Sequence, residues 1–171
     1  MFVKISFFVF VIFFYINSYA IPVPIGLELN KATITDIMKK YKITKKESNY
    51  WQGYNYFIDI KDINLEKISQ VLVICNDFNI VEAVILTIDK NKFEEFYTAL
   101  TSKYTLIKKD IKPEGSKSAA FTDGDCSIIL EAPEISFDME LTYVTDNFYK
   151  KFLDKLEQEE KLQQEQIKNL L

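Results

Sequence analysis

The chain has 171 residues, 48% of them hydrophobic and 27% charged, which places it among ordinary globular proteins of one or two small domains. Its net charge of -4 offers no cationic excess for a nucleic-acid or anionic membrane surface. There is no His and every basic residue is Lys, so Ser-His-Asp and Cys-His catalysis, His-ligated zinc and bidentate Arg clamps are all excluded.

Met1-Phe2-Val3-Lys4 is a short cationic start, Ile5 to Ile16 is apolar apart from Ser6, and Asn17-Ser18-Tyr19-Ala20 ends in small residues. This pattern predicts a secretory signal peptide over residues 1–20, cut after Ala20. The alternative is an uncleaved anchor, for which the apolar run is short, since a span needs about 20 residues. No Cys follows the run, which leaves no site for lipid attachment. The expected location is periplasmic or secreted, with no stable membrane insertion after signal cleavage.

From Gly26 the chain enters a helix that starts near Thr33, where Asp36 three residues on completes a capping box. Ile34, Ile37, Met38 and Tyr41 repeat at the spacing of one buried helix face. A second helix has Asn91 as candidate N-cap, Glu94 three residues on, and Phe93, Phe96, Tyr97 and Leu100 as its stripe. Displacing the chain by 63 residues aligns Thr35–Glu47 with Thr98–Asp110, matching Thr35/Thr98, Lys40/Lys103, Tyr41/Tyr104, Lys45/Lys108 and Lys46/Lys109. An internal duplication is the simplest reading.

Four strands are predicted after each helix: Ile43–Ser48, Tyr54–Ile60, Gln70–Cys75 and Ile80–Ile88, then Thr105–Ile111, Lys117–Phe121, Cys126–Glu131 and Asp138–Val144. Asn76-Asp77-Phe78-Asn79 and Thr122-Asp123-Gly124-Asp125 are hairpin turns by composition. Phe137, Met139, Leu141 and Tyr143 alternate with polar residues, which predicts one buried and one wet face for the last strand. The expected fold class is α+β: two tandem αββββ repeats, residues 26–88 and 89–145 of a domain spanning 21–145. They form an antiparallel sheet with helices packed on one face. Residues 146–171 add a C-terminal helix, polar and fraying at its end, whose heptad seam is broken by Glu160 and Gln163.

This order of elements, opened by Gly26-Leu27-x-Leu29-x-x-x-Thr33-x-x-Asp36-Ile37, resembles the tandem fold of the beta-lactamase inhibitor protein family. The opening also resembles the entry to the SmpA/OmlA outer-membrane assembly lipoproteins, and the element order looks like that of a family of uncharacterised exported bacterial proteins. The resemblance implies a sheet whose broad face meets a partner protein.

Tyr50-Trp51-Gln52-Gly53-Tyr54-Asn55-Tyr56-Phe57 is the densest aromatic segment and holds the only Trp. Tyr50, Trp51, Tyr54 and Tyr56 are the candidate partner-binding residues, because Tyr and Trp bring large contact area with a polar tip. Filling the core or covering a sheet edge would explain the same residues. Cys75 and Cys126 are an even pair that an oxidising compartment would permit to form one disulfide, or else two buried free thiols. Asp123 and Asp125, and Asp59 and Asp62, flank bends and are explained by turn chemistry; the Lys45-Lys46 and Lys108-Lys109 pairs suit sheet edges. No phosphate-cradling loop, metal set or catalytic constellation is present, so no cofactor, no metal and no enzyme activity are expected. The functional expectation is an exported non-enzymatic module that binds an exported or envelope protein through the sheet face and the 50–57 loop. The alternative is a periplasmic carrier of a small apolar ligand or lipid between helix and sheet.

Overall fold

Thr33 opens helix α1 (Ile34–Lys40) in the computed structural model, which describes residues 21–63 and 65–170. The expected signal segment, residues 1–20, lies outside the described residues. The Thr33 amide and hydroxyl both donate to Asp36 Oδ2, at 3.0 and 2.9 Å, and occupy a carboxylate that the first turn favours. The second helix, α2, runs Phe93–Lys103, but Asn91 does not cap it. The Asp89 side chain accepts from the Asn91 amide at 2.9 Å and winds Lys90–Lys92 into a 3-10 turn, so the α-helix proper begins later.

After α1 come β1 (Ile43–Ser48), β2 (Tyr54–Ile58), β3 (Ile68–Cys75) and β4 (Val81–Asp89). After α2 come β5 (Thr105–Ile111), β6 (Lys117–Asp123), β7 (Cys126–Ala132) and β8 (Asp138–Thr145). All eight join one antiparallel sheet in the order β1-β2-β3-β4-β8-β7-β6-β5. The last strand after each helix therefore lies at the centre, and the first lies at an edge. Both predicted turns close hairpins: Asn76 Oδ1 accepts from the Phe78 and Ile80 amides, each at 3.0 Å, and Gly124 takes φ +58° between β6 and β7.

The pairing register is the same in the two halves. Ile43 faces Ile58 and Lys46 faces Tyr56, while Leu106 faces Phe121 and Lys109 faces Ala119, each residue 63 positions on. The register skips one residue at the same place in both edge pairs, between Ile43 and Lys45 and between Leu106 and Lys108. Val71 faces Leu86 and Val73 faces Val84, while Ile128 faces Tyr143 and Leu130 faces Leu141, here 57 positions on. The six-residue difference falls between β2 and β3, where Ile60–Asp62 forms a 3-10 turn that the two-residue β6–β7 connection lacks.

One face of the sheet carries α1 and α2. Tyr56, Ile58, Val71, Val73, Val84, Leu86, Ile88, Phe121, Ile128, Leu130, Met139 and Leu141 pack there against Ile37, Phe93 and Leu100. Each fully buried aliphatic or Phe side chain contributes roughly 1.5–3 kcal/mol, so this face is the main source of stability. The last strand departs from expectation at its start, because β8 begins at Asp138 and Phe137 stays in the preceding loop, 93% exposed. The C-terminal helix α3 (Asp146–Leu170) packs on the opposite face, where Phe148 meets Ala83 and Val144. From Leu156 onward its residues are all exposed.

Cys75 and Cys126 are buried free thiols, not a disulfide. The sheet order puts β4 and β8 between β3 and β7. Three strand spacings of about 4.8 Å separate the two cysteines, far beyond the 7 Å limit between bridged α-carbons.

Candidate functional site

The aromatic segment divides between the two faces of the sheet. Asn49 shapes the β1–β2 turn by accepting from the Trp51 and Gly53 amides at 3.0 and 2.9 Å and donating to the Cys75 carbonyl at 3.0 Å. Tyr50 projects from this turn, 69% exposed. Trp51 is half-buried under α3, edge-on to Phe148 with ring centroids 5.4 Å apart. The Lys155 ammonium of α3 lies 3.3 Å from the Tyr50 ring centroid and 5.7 Å from that of Trp51, a cation–π contact that joins helix and turn.

Tyr54 and Tyr56 point the other way. Tyr56 is 2% exposed in the core, its hydroxyl donating to Asn79 Oδ1 at 3.4 Å, and Tyr54 is half-buried beside it under the Lys46 ammonium, 3.6 Å from the ring centroid. Of the four expected contact residues, Tyr50 is exposed, Trp51 and Tyr54 are half-buried on opposite faces, and Tyr56 is removed into the core by strand alternation.

The face that α3 shares is largely open. One register row crosses all eight strands: Lys45, Phe57, Leu72, Ile85, Thr142, Ile129, Ala120, Lys108. Its six middle residues are all half-buried, and a lysine closes each end. The Lys45 ammonium stands 5.2 Å from the Phe57 ring centroid, on the same face. Helix α3 packs on the adjoining row, including Ile74, Ala83 and Val144, and against Ile129 of this one. Beside Tyr149 of α3 the open face dips into a cleft of about 490 Å³ lined by Ile107, Lys108, Ala120, Thr122 and Ile129.

Sequence reasoning missed this row, although a signal for it existed. Val71-Leu72-Val73-Ile74-Cys75 and Ala83-Val84-Ile85-Leu86 are unbroken apolar runs, the mark of strands covered on both faces. It also missed Glu82, 7% exposed, whose carboxyl accepts from Thr145 Oγ1 at 2.7 Å and Asn76 Nδ2 at 2.9 Å. Thr145 Oγ1 in turn accepts from the Phe148 amide at 3.3 Å, so Glu82 fixes the start of α3 over the sheet.

The Lys pairs occupy both sheet edges, with Lys45 and Lys46 on β1 and Lys108 and Lys109 on β5. Asp123 and Asp125 bracket the Gly124 turn, and Asp59 accepts from the Lys61 amide at 3.2 Å in its own turn. Burial pushes the Cys75 thiol up to about 12 and the Cys126 thiol up to about 11, with smaller contributions from Glu82 and from Asp146, Asp125 and Asp123. Thiols so raised stay protonated and are poor nucleophiles. Among the described residues no cluster of His, Cys, Asp or Glu could hold a metal ion, and no helix is long and apolar enough to cross a membrane.

The class defined by these observations is an α+β protein built on one eight-stranded antiparallel sheet with helices on both faces. The chain matches no protein-family model, no curated protein and no solved structure.

Proposed function

We propose that this is an exported, non-enzymatic protein-binding module that engages a partner through the open face of its sheet, with Tyr50 and Trp51 at one corner. The observation that carries the reading is the row Phe57, Leu72, Ile85, Thr142, Ile129 and Ala120, half-buried and bounded by Lys45 and Lys108. It extends for about 24 Å at 4.8 Å per strand, on the face away from the main core. Contiguous apolar surface of this extent with a polar rim is characteristic of interaction sites. The two lysines fit a partner whose apolar contact surface is flanked by carboxylates. The resemblance to the beta-lactamase inhibitor and SmpA/OmlA families points to the same use of a sheet, and the signal-like residues 1–20 to the periplasm or the exterior.

The same reading treats the two halves as a duplicated αββββ unit. Their common registers, the matching bulges and the Tyr41/Tyr104 pair support it.

The test is photo-crosslinking in the native host from positions 50, 72 and 85, with Met38, exposed on α1 on the other face, as control. A common protein adduct from 72 and 85 that is absent from 38, and is lost in Ile85→Lys, is the expected result. Protein adducts from none of the three positions would overturn the reading.

A further inference from the structure

On the face that carries α1 and α2, a cleft of about 460 Å³ opens between those helices and the two central strands. Its floor is Leu86 of β4 and Leu141 of β8, both buried. Ile25, Phe96 and the rings of Tyr41 and Tyr143 form its walls, and Asp62, Ile63 and Leu65 stand at its mouth. This volume and this balance of apolar wall to polar group are those of small-molecule sites.

The mouth residues Asp62, Ile63 and Leu65 belong to the connection between the second and third strands, which is six residues longer in the first half than in the second. The largest departure from the common register thus supplies three lining residues, and leaves Leu65 45% exposed over the cleft. Ile63 of this connection packs against the core, while Leu65 is left facing the cleft with no place in that core.

Asp62 is the one charged residue among those lining the cleft. Its Oδ2 accepts from the Lys42 amide at 2.9 Å, which holds the carboxylate at the mouth. The Tyr41 hydroxyl donates to the Ile25 carbonyl, and the Lys40 ammonium is tied to the Gly26 carbonyl. Burial raises the pKa of both phenols above the ordinary tyrosine value, so Tyr41 and Tyr143 remain neutral.

We propose that the cleft binds an apolar molecule with an amine head, its body on Leu86 and Leu141 and its ammonium against the Asp62 carboxylate. Anionic amphiphiles such as fatty acids are disfavoured by the same charge. The site is separate from the open sheet face, so either assignment can fail without the other.

The probes are dodecylamine, dodecanol and dodecanoate, each titrated below its micelle concentration into the exported protein and followed by calorimetry and native mass spectrometry. Saturable binding of one dodecylamine is expected, about tenfold tighter than dodecanoate, which is the size of effect one partly exposed charge supplies. Asp62→Asn keeps the acceptor for the Lys42 amide and should bring amine and carboxylate affinities together while dodecanol binding is unchanged. Leu141→Trp fills the floor and should abolish binding of all three; if it fails to fold, Asp62→Asn carries the test alone. No saturable binding of any probe, or an amine preference that survives Asp62→Asn, would overturn the proposal.

Discussion

A β-carbon at Gly53 would stand 2.0 Å from the Cys75 carbonyl oxygen and 2.6 Å from the Asn76 carbonyl carbon. Backbone atoms cannot yield as a flexible side chain can, so Gly53→Ala is expected to cost about 3 kcal/mol, read as a shift in the urea midpoint at constant slope. The aromatic content of residues 50–57 was legible in the sequence; that the turn at Gly53 lies against β3 was not, because the contact joins residues far apart in the chain. The thiols give a second expectation at this scale. Their ordinary value is near 9, and burial holds both higher in the folded chain. Above about pH 9 the unfolded chain loses protons that the folded chain keeps, so stability falls as pH rises toward 11; below 9 neither thiol contributes. The decline between pH 8 and pH 10.5 should be smaller in Cys75→Ala/Cys126→Ala than in the parent. Both thiols should also resist a thiol reagent at pH 8 until the protein is unfolded.

Helix α3 is held at one end only. Thr145 and Glu82 fix its start, Phe148 packs on Ala83 and Val144, and Lys155 reaches Tyr50, while everything from Leu156 on is exposed. Removing residues 157–171 is expected to change unfolding free energy by less than about 0.5 kcal/mol while lowering the helical circular dichroism signal. The helix itself was legible from Phe148, Phe152 and Leu156 at four-residue spacing. Its choice of sheet face was not, because periodicity identifies an apolar stripe without identifying what covers it. The Asn91 cap failed for a related reason: Asp89, two residues earlier, accepts from the Asn91 amide and already winds Lys90–Lys92 into a 3-10 turn, and a local motif carries no record of which side chain caps first.

At the scale of the whole molecule, the number and sequence of strands followed from alternation and turn chemistry, and the order in which they join did not. Pairing β4 with β8 brings together segments about fifty to sixty residues apart, with Ile85 opposite Thr142 next to the central Leu86–Leu141 pair of the seam. That non-local choice separates Cys75 from Cys126 and aligns Phe57, Leu72, Ile85, Thr142, Ile129 and Ala120 into one row. Ile85 and Thr142 lie 57 positions apart, the displacement that the β3–β4 and β7–β8 registers share, so under the proposed duplication the seam would relate like to like. A fragment of residues 21–89 would end in a self-complementary strand, and is expected to form an isologous dimer by sedimentation, with Ile85→Pro giving a monomer.

The same seam bears on how the chain is made. β1 and β5 reach solvent with lysines on their flanks, but β4 reads Val-Glu-Ala-Val-Ile-Leu-Thr-Ile-Asp and carries no lysine. Until β8 has been synthesised, β4 is a nine-residue edge, apolar except at Glu82, Thr87 and Asp89, open to other nascent chains. Export of an unfolded polypeptide, with folding deferred until every strand has crossed, would keep that edge from being presented while its partner is missing.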